Sequence, residues 1–281
     1  MKFAVTIVSP PGYVHSAAFQ EVAETIHYSL LALGHDSVLT SSGILEGRRH
    51  IVLGSNLLTT YRLPIGDNAI LYNLEQVDPD SPWFRPELLD IFRRYTLWDY
   101  SGQNARALAA MGINVGHVLP IGYTKELTRF QPAAVQDIDV LFVGSLPPRR
   151  KQVLDQMTAL GLRVAAGFGL YGQQRDQVIC RAKLMLNVHA YEAKVLEIVR
   201  ISYLLANRCA VLSERSADPT EDATLTGAVE FADYSHLAIR ARELIDNPTE
   251  RQQLSVRGFD AICARPTMQY LKAALRQSGL Y

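Results

Sequence analysis

Two successive α/β domains, each built on a parallel sheet, are the fold this sequence predicts. Three observations predict it. Short β-rich apolar runs alternate with segments of helical spacing over the whole chain. That alternation breaks once, between residues 124 and 137, and then restarts. The 281 residues, 48% of them apolar, are enough for two cores.

Taken in order, FAVTIVS (3–9) is a short continuous apolar run stopped by Pro-Pro-Gly, the pattern of a buried parallel strand. Residues 16–33 carry apolar groups at helical spacing, and Gly34 follows as a stop. DSVLTSS, HIVLGSN (50–56) and AILYNLEQ (69–76) read as strands, PELLDIFRRY as a helix, and TLWDYS (96–101) as a short strand. A helix at QNARALAAMG and a strand at VGHVLPIGY (115–123) complete the first half. TKELTRFQPAAVQD (124–137) has no strong period and suits a linker. The second half repeats the theme. DVLFVGS, RVAAGF, LMLNV, CAVLSE and GAVEFADY read as strands. Helices are predicted at RRKQVLDQMTALG, near QQRDQVICRA, over the segment between LMLNV and CAVLSE, and from LAIRARELIDNPTERQQL onward. The expected division is 1–124 and 125–281, two Rossmann-like domains facing a cleft, with the last helix a candidate to cross back to the first.

Lys plus Arg equals Asp plus Glu at 28 each. No global basic field exists, which counts against nucleic acid or an anionic membrane as the main partner. Cys180, Cys209 and Cys263 are widely spaced, with no CxxC or Cys/His metal pattern, and read as free thiols in a reducing compartment. The start, MKFAVTIVSPPGY, lacks the form of a signal peptide, and no window reaches the length of a membrane span. A cytoplasmic location is the expectation.

In doubly wound sheets, ligands bind beyond the carboxyl ends of the strands. After the first strand, Gly12 permits close backbone approach, and His15 is a candidate general base because imidazole titrates near neutrality. A packing role at the helix start is the alternative for His15. Glu75 follows AILYN as a second candidate base, or else a solvated acid. Asp99 is a candidate cap for the next helix. In the second half, Gly144 and Ser145 end a strand, and Arg149, Arg150 and Lys151 open a helix. Cations oppose the dipole at that end, so the run suggests an external anion such as a diphosphate, with a solvated basic turn as the alternative. Gly167, Gly169 and Gly172 have GxGxxG spacing but no acidic strand end about 20 residues on, and read as a loop beside a nucleotide. The DxD pairs Asp137/Asp139 and Asp78/Asp80 are weak metal candidates.

The segment LNVHAYEAKVLEIVRISYLLANRCAVLSE (186–214) carries the rest. Its helix is apolar almost all round, yet it holds Glu197 and Arg200, after a loop with His189, Tyr191, Glu192 and Lys194. Either the two charges neutralise each other, or Glu197 accepts from ribose hydroxyls while Arg200 meets phosphate.

This strand–loop–helix–turn–strand resembles the donor-binding segment of GT-B glycosyltransferases, and FVGS followed by Arg149, Arg150 and Lys151 resembles their phosphate-binding loop. In motif the resemblance covers residues 138–214. Family members carry two spaced glutamates here; by their register the second falls at Ser202, and Glu192 and Glu197 stand upstream. The resemblance implies a nucleoside-diphosphate sugar as co-substrate, with no separate cofactor. It implies a metal-independent, hexosyltransferase-like enzyme of glycan or glycoconjugate synthesis. The donor would lie among Gly12, Gly144, Ser145, Arg149, Arg150, Lys151, His189, Tyr191, Glu192, Lys194, Glu197 and Arg200, with His15 and Glu75 catalytic. The acceptor, whether a saccharide, a lipid-linked glycan or a protein, stays open. A non-catalytic nucleotide-sugar binder and a nucleic-acid glycosyltransferase are the other readings.

Overall fold

A computed structural model of the chain describes residues 1–78, 81 and 83–281. The chain divides into two compact units, Met1–Glu126 with Pro266–Tyr281, and Leu127–Arg265.

The first unit is a six-stranded parallel sheet in the order β2-β1-β3-β4-β5-β6. The strands are β1 (Lys2–Ile7), β2 (Asp36–Thr40), β3 (Arg49–Leu53), β4 (Ile70–Asn73), β5 (Thr96–Asp99) and β6 (His117–Val118). Phe3, Ala4, Val5, Ile51, Val52 and Leu53 are fully buried, because strands covered on both faces need apolar residues on both. Helices α1 (Gln20–Ala32), α2 (Pro86–Arg94) and α3 (Gly102–Ala110) connect them. The final helix, α10 (Thr267–Gln277), packs on α1 through a buried stripe that includes Leu271 and Leu275.

The second unit has five parallel strands in the order β11-β10-β9-β7-β8. They are β7 (Ile138–Val143), β8 (Val164–Gly167), β9 (Ala182–Asn187), β10 (Val211–Glu214) and β11 (Glu230–Ala232). Around them lie α4 (Pro148–Ala159), α5 (Gly172–Ile179), α6 (Ile198–Ala206), α7 (Pro219–Ala223), α8 (Leu237–Asp246) and α9 (Pro248–Cys263). Val140, Phe142, Leu184, Leu186 and Leu212 from the strands meet Val153, Met157, Ala241 and Leu244 from the helices in one core.

Counted from its own first strand, the first sheet runs 2-1-3-4-5-6 and the second 2-1-3-4-5. In that doubly wound order the chain reverses direction between the first and third strands, and a crevice opens at their carboxyl ends. The switch points are thus β1/β3 in one unit and β7/β9 in the other.

The structure departs from the sequence reading in several places. Residues Val14–Phe19 form a tight 3₁₀ turn before α1, so the helix starts at Gln20 rather than at 16. The predicted strand 115–123 shrinks to His117–Val118, since Pro120 has no N–H to extend the ladder. The helix α7, capped by the Asp218 side chain, was not predicted; it is one short turn rich in polar residues. Helix α6 begins after Glu197, which sits at its cap position with ψ of 53° and is not a member of the helix.

Gly258 in α9 lies against α6, where an added Cβ would fall 2.8 Å from a Leu205 methyl and 3.0 Å from the Ala228 carbonyl. Gly258→Ala is expected to destabilise the second unit by ~1–3 kcal/mol through overpacking, despite the better helix propensity of Ala. Chemical denaturation checks this; a variant as stable as wild type would mean the helices separate freely.

Candidate functional site

The second unit gathers a charged cluster at its switch point. Strand β7 ends at Gly144, whose φ of 152° suits glycine; a Cβ there would meet the Phe142 ring at 3.1 Å and the Arg200 guanidinium at 3.3 Å. Arg150, in the first turn of α4, turns back into the sheet end. Its Nε donates to the Val188 carbonyl at 2.7 Å, and its Nη1 donates to the Ser145 carbonyl and hydroxyl at 3.2 Å. Arg150 and Arg200 both lie over the Phe142 ring, at 5.0 and 5.5 Å.

Glu197 holds these together. Its Oε2 accepts from Asn187 Nδ2 at 2.9 Å and lies 2.8 Å from His189 Nδ1. Asn187 also accepts from Arg200 Nη1 and donates to Ser213 at 3.0 Å. Glu197 Oε1 faces Arg150 Nη2 at 3.5 Å and, although buried, has no hydrogen-bond partner among the described residues. Burial alone would raise the Glu197 carboxyl; His189, Arg200 and Asn187 outweigh it and hold it at about 2. Burial and then the neighbouring Arg200 charge depress Arg150 to about 10, with Glu197 opposing. Burial also lowers Arg200.

Beside this lies a second ion system. Glu214, at the end of β10, makes a two-pronged ion pair with Arg149 and lies 3.4 Å from Lys194 Nζ. It also accepts from the His189 N–H at 3.1 Å. Arg149 stacks on Tyr234 at 4.1 Å, and Tyr234 donates to the Arg149 carbonyl at 2.8 Å. Hydrogen bonding to Glu214 raises the Arg149 guanidinium. Lys194 takes a positive φ of 43° in the loop that carries it.

Of the residues chosen from sequence, the fold brings together Gly144, Ser145, Arg149, Arg150, His189, Lys194, Glu197 and Arg200, and Tyr191 acts on Arg150 electrostatically. Glu192 stands exposed on the loop, with its charge felt at Arg149. Lys151 is not part of the cluster: it is exposed and pairs with Asp155 one turn along α4. Gly12 belongs to the first unit, where its φ of 76° completes the turn Pro10–Tyr13. Glu197 and Arg200 do not form a simple pair; Asn187 stands between them. Sequence reasoning missed Glu214 and Asn187 as site residues, although both end strands and that position was the available signal.

In the first unit, Glu75 lies past the end of β4 and is part-exposed to solvent, yet enough protein surrounds it that burial pushes its carboxyl up to about 7. Tyr13, on the loop after β1, is raised by burial and by the Glu75 charge, so the two side chains are neighbours. The His15 ring meets Tyr13 edge-on at 5.3 Å. Asp99 does not cap α3; Ser101 does, accepting from the Gln103 and Asn104 N–H groups. The Asp99 carboxylate instead accepts from Asn73, Asn104 and the Ser101 N–H.

The other motifs resolve structurally. Asp139 binds Arg163 and Lys183, and Asp137 binds Arg181, so that DxD pair is spent on ion pairs. Asp80 of the other pair lies outside the described residues. Gly167 ends β8, where a Cβ would strike Leu170, while Gly169 before α5 and Gly172 at its first position take positive φ. Among the described residues no helix is long and apolar enough to cross a membrane.

No family model matches the chain. It is similar to an uncharacterized protein of Acanthamoeba polyphaga mimivirus, 28% identical over 222 residues, 73% of this chain and 69% of that protein. Among solved structures it resembles AviGT4, a glycosyltransferase of avilamycin A biosynthesis, with TM-score 0.62 and 16% identity over 99% of this chain and 98% of that one. It also resembles Anabaena HepE in complex with UDP, with TM-score 0.57 and 14% identity over 100% of both chains. A third is a DNA-modifying beta-glucosyltransferase, with TM-score 0.57 and 13% identity over 99% of both chains. It spans 58% of TarM, another structural neighbour with TM-score 0.59 and 12% identity, which covers 91% of this chain. The chain has the GT-B fold, two Rossmann-like units each on its own parallel sheet.

Proposed function

We propose that the protein is a glycosyltransferase that moves a sugar from a nucleoside-diphosphate sugar to an acceptor hydroxyl. One observation carries the reading. At the β7/β9 switch point, the buried Arg150 and the half-buried Arg200 crowd over one phenylalanine ring beside a buried carboxylate oxygen with no hydrogen-bond partner among the described residues. Two like charges in low dielectric repel, and the fold leaves the repulsion in place. A diphosphate would relieve it by bidentate contacts, and a ribose hydroxyl would supply the donor that Glu197 Oε1 lacks. Arg149 and Lys194 add cationic charge, so positive charge outweighs Glu197, Glu214 and exposed Glu192.

In the reaction, the acceptor O–H gives its proton to a carboxylate and its oxygen attacks the anomeric carbon. The bond from that carbon to the diphosphate breaks, and its electron pair leaves with the diphosphate. The guanidinium groups stabilise that leaving charge in the role a metal ion would otherwise fill. Glu75 is the base we assign, with Tyr13 close enough to feel its charge and His15 edge-on to Tyr13. A hexose donor, a role in glycan or glycoconjugate synthesis, an acceptor that is a saccharide, lipid-linked glycan or protein, and a cytoplasmic location complete the proposal.

The test is a thermal-shift panel of UDP, GDP, TDP, CMP and their sugars, followed by assays of donor hydrolysis and transfer. At a hundred times Kd, the matching diphosphate should stabilise the protein by ~2.7 kcal/mol. A flat response to every nucleotide would end this reading. Binding without hydrolysis or transfer to saccharide, lipid-linked, protein or DNA acceptors would make the protein a nucleotide-sugar binder.

A further inference from the structure

Two buried amides meet on one peptide carbonyl in the first unit. Asn73 Nδ2 donates to the Glu75 carbonyl at 3.0 Å and to Asp99 Oδ2 at 2.6 Å. Asn104 Nδ2 donates to the same Glu75 carbonyl at 2.9 Å and to Asp99 Oδ1 at 3.0 Å. Asn104 Oδ1 accepts from the Val77 N–H at 2.9 Å, and Asn73 Oδ1 accepts from the Glu75 N–H at 3.3 Å. The Ser101 N–H closes the set on Asp99 Oδ1 at 2.9 Å. Asp99, Asn73 and Asn104 are almost fully buried. One carboxylate at the end of β5 therefore orients two amides, and those amides fix the peptide that carries Glu75.

We propose that Asp99 is a positioning residue that, through Asn73 and Asn104, sets the direction of the Glu75 carboxyl. This rests on the reading of Glu75 as the base. A base must lie within hydrogen-bond reach of the proton it takes, so a small swing of its backbone is costly. The structural cost of the device argues in the same direction. A carboxylate buried this deeply is disfavoured, and burial raises Asp99 to about 7 against hydrogen bonds from Asn73, Asn104 and the Ser101 and Tyr100 N–H groups. A loop that needed only to be closed would be served by an apolar residue at that place. Of the groups near Glu75, Tyr13 reaches it from the β1 loop, and Asp99 acts on it through the amides.

Asp99→Asn tests the assignment. An amide there turns one acceptor into a donor, which then faces Asn73 or Asn104 Nδ2, and one of those must leave the Glu75 carbonyl. The kcat of transfer should fall ~10-fold or more, with the KM for donor within about twofold. The acidic limb of the rate profile should move by about half a pH unit or more. Carbon-13 titration of the Glu75 carboxyl should show the same displacement and needs no turnover. A wild-type protein that transfers nothing therefore overturns the glycosyl-transfer reading and leaves the clamp testable. An unmoved Glu75 titration in a folded variant, or a loss of stability with the limb unmoved, overturns the positioning role. Should Asp99→Asn fail to fold, Asn104→Ala removes one of the two donors to the Glu75 carbonyl and leaves Asp99 its bonds to Asn73 and Ser101. It should move the same limb, and an unmoved limb with wild-type kcat overturns the proposal.

Discussion

Glu75→Gln is expected to lower glycosyl transfer by ~10²–10⁴-fold, the range for loss of a general base, with nucleotide affinity within about twofold of wild type. The side chain is nearly isosteric, but it can no longer take a proton. In the wild type, a Glu75 carboxyl at about 7 should make the rate climb between pH 6 and 8, since a base acts in its deprotonated form. That limb should vanish in the variant. Stability should respond in the opposite sense. The folded-state value lies above the unfolded one, so the group favours folding fully below about pH 4.5 and loses that contribution as pH rises through 7. Glu75→Gln should therefore match wild type at pH 4 and exceed its stability at pH 8, by ~1–3 kcal/mol after allowance for solvent near the group. A variant that is less active but no more stable at pH 8 would mean Glu75 is charged at little cost and titrates well below 7. His15→Ala should reduce the rate less, since His15 edges Tyr13 while Tyr13 is the residue coupled to Glu75.

That ranking reverses the one the sequence supports, and the reason is physical. A glutamate after a strand reads as a solvated acid near the usual carboxylate value, and His15 then looks like the better base. What raises Glu75 is the protein packed around it, and packing is not written in local spacing. The same holds for Asp99. Next to Ser101 it looks like a helix cap, but its partners Asn73 and Asn104 come from another strand end and from the following helix. By contrast, the two sheets were legible, since buried parallel strands need apolar residues on both faces and Gly34 and Gly112 mark helix ends with positive φ. The Arg149–Lys151 run was legible as a basic helix start, but not which side chain turns inward. Arg150 reaches the β9 end, while Lys151, one residue on, points to solvent; a 100° step on the helix separates them. Glu197 was read as a helix-face residue, and the register of the family would have placed its counterpart at Ser202. The helix instead starts at Ile198, so that the Glu197 carboxylate folds back to Asn187 and His189.

Arg200→Met is expected to weaken nucleoside-diphosphate binding by ~10–100-fold while leaving the unliganded protein close to wild type in stability. The two effects separate because Arg200 has opposing roles in the empty site. Its half-buried charge depresses Arg150, which costs stability, while its contact with Asn187 and its attraction to Glu197 return some of it. Methionine keeps the volume over Phe142 and removes the repulsion, a change that buried charges often tolerate. The loss then appears when a diphosphate needs the second guanidinium. A charge-assisted hydrogen bond contributes ~1.5–3 kcal/mol, and each 1.4 kcal/mol is tenfold in Kd. Titration calorimetry with the best nucleotide of the thermal-shift panel gives Kd, and denaturation of the same sample gives stability. Lys151→Ala is the control, within twofold in affinity, because that side chain already pairs with Asp155 on the exposed face of α4. If Arg200→Met binds as tightly as wild type, the crowded guanidinium pair serves the fold alone and the diphosphate lies elsewhere. If it unfolds instead, Arg200 is a structural partner of Glu197 and Asn187, and Arg150 alone is left to meet the phosphate.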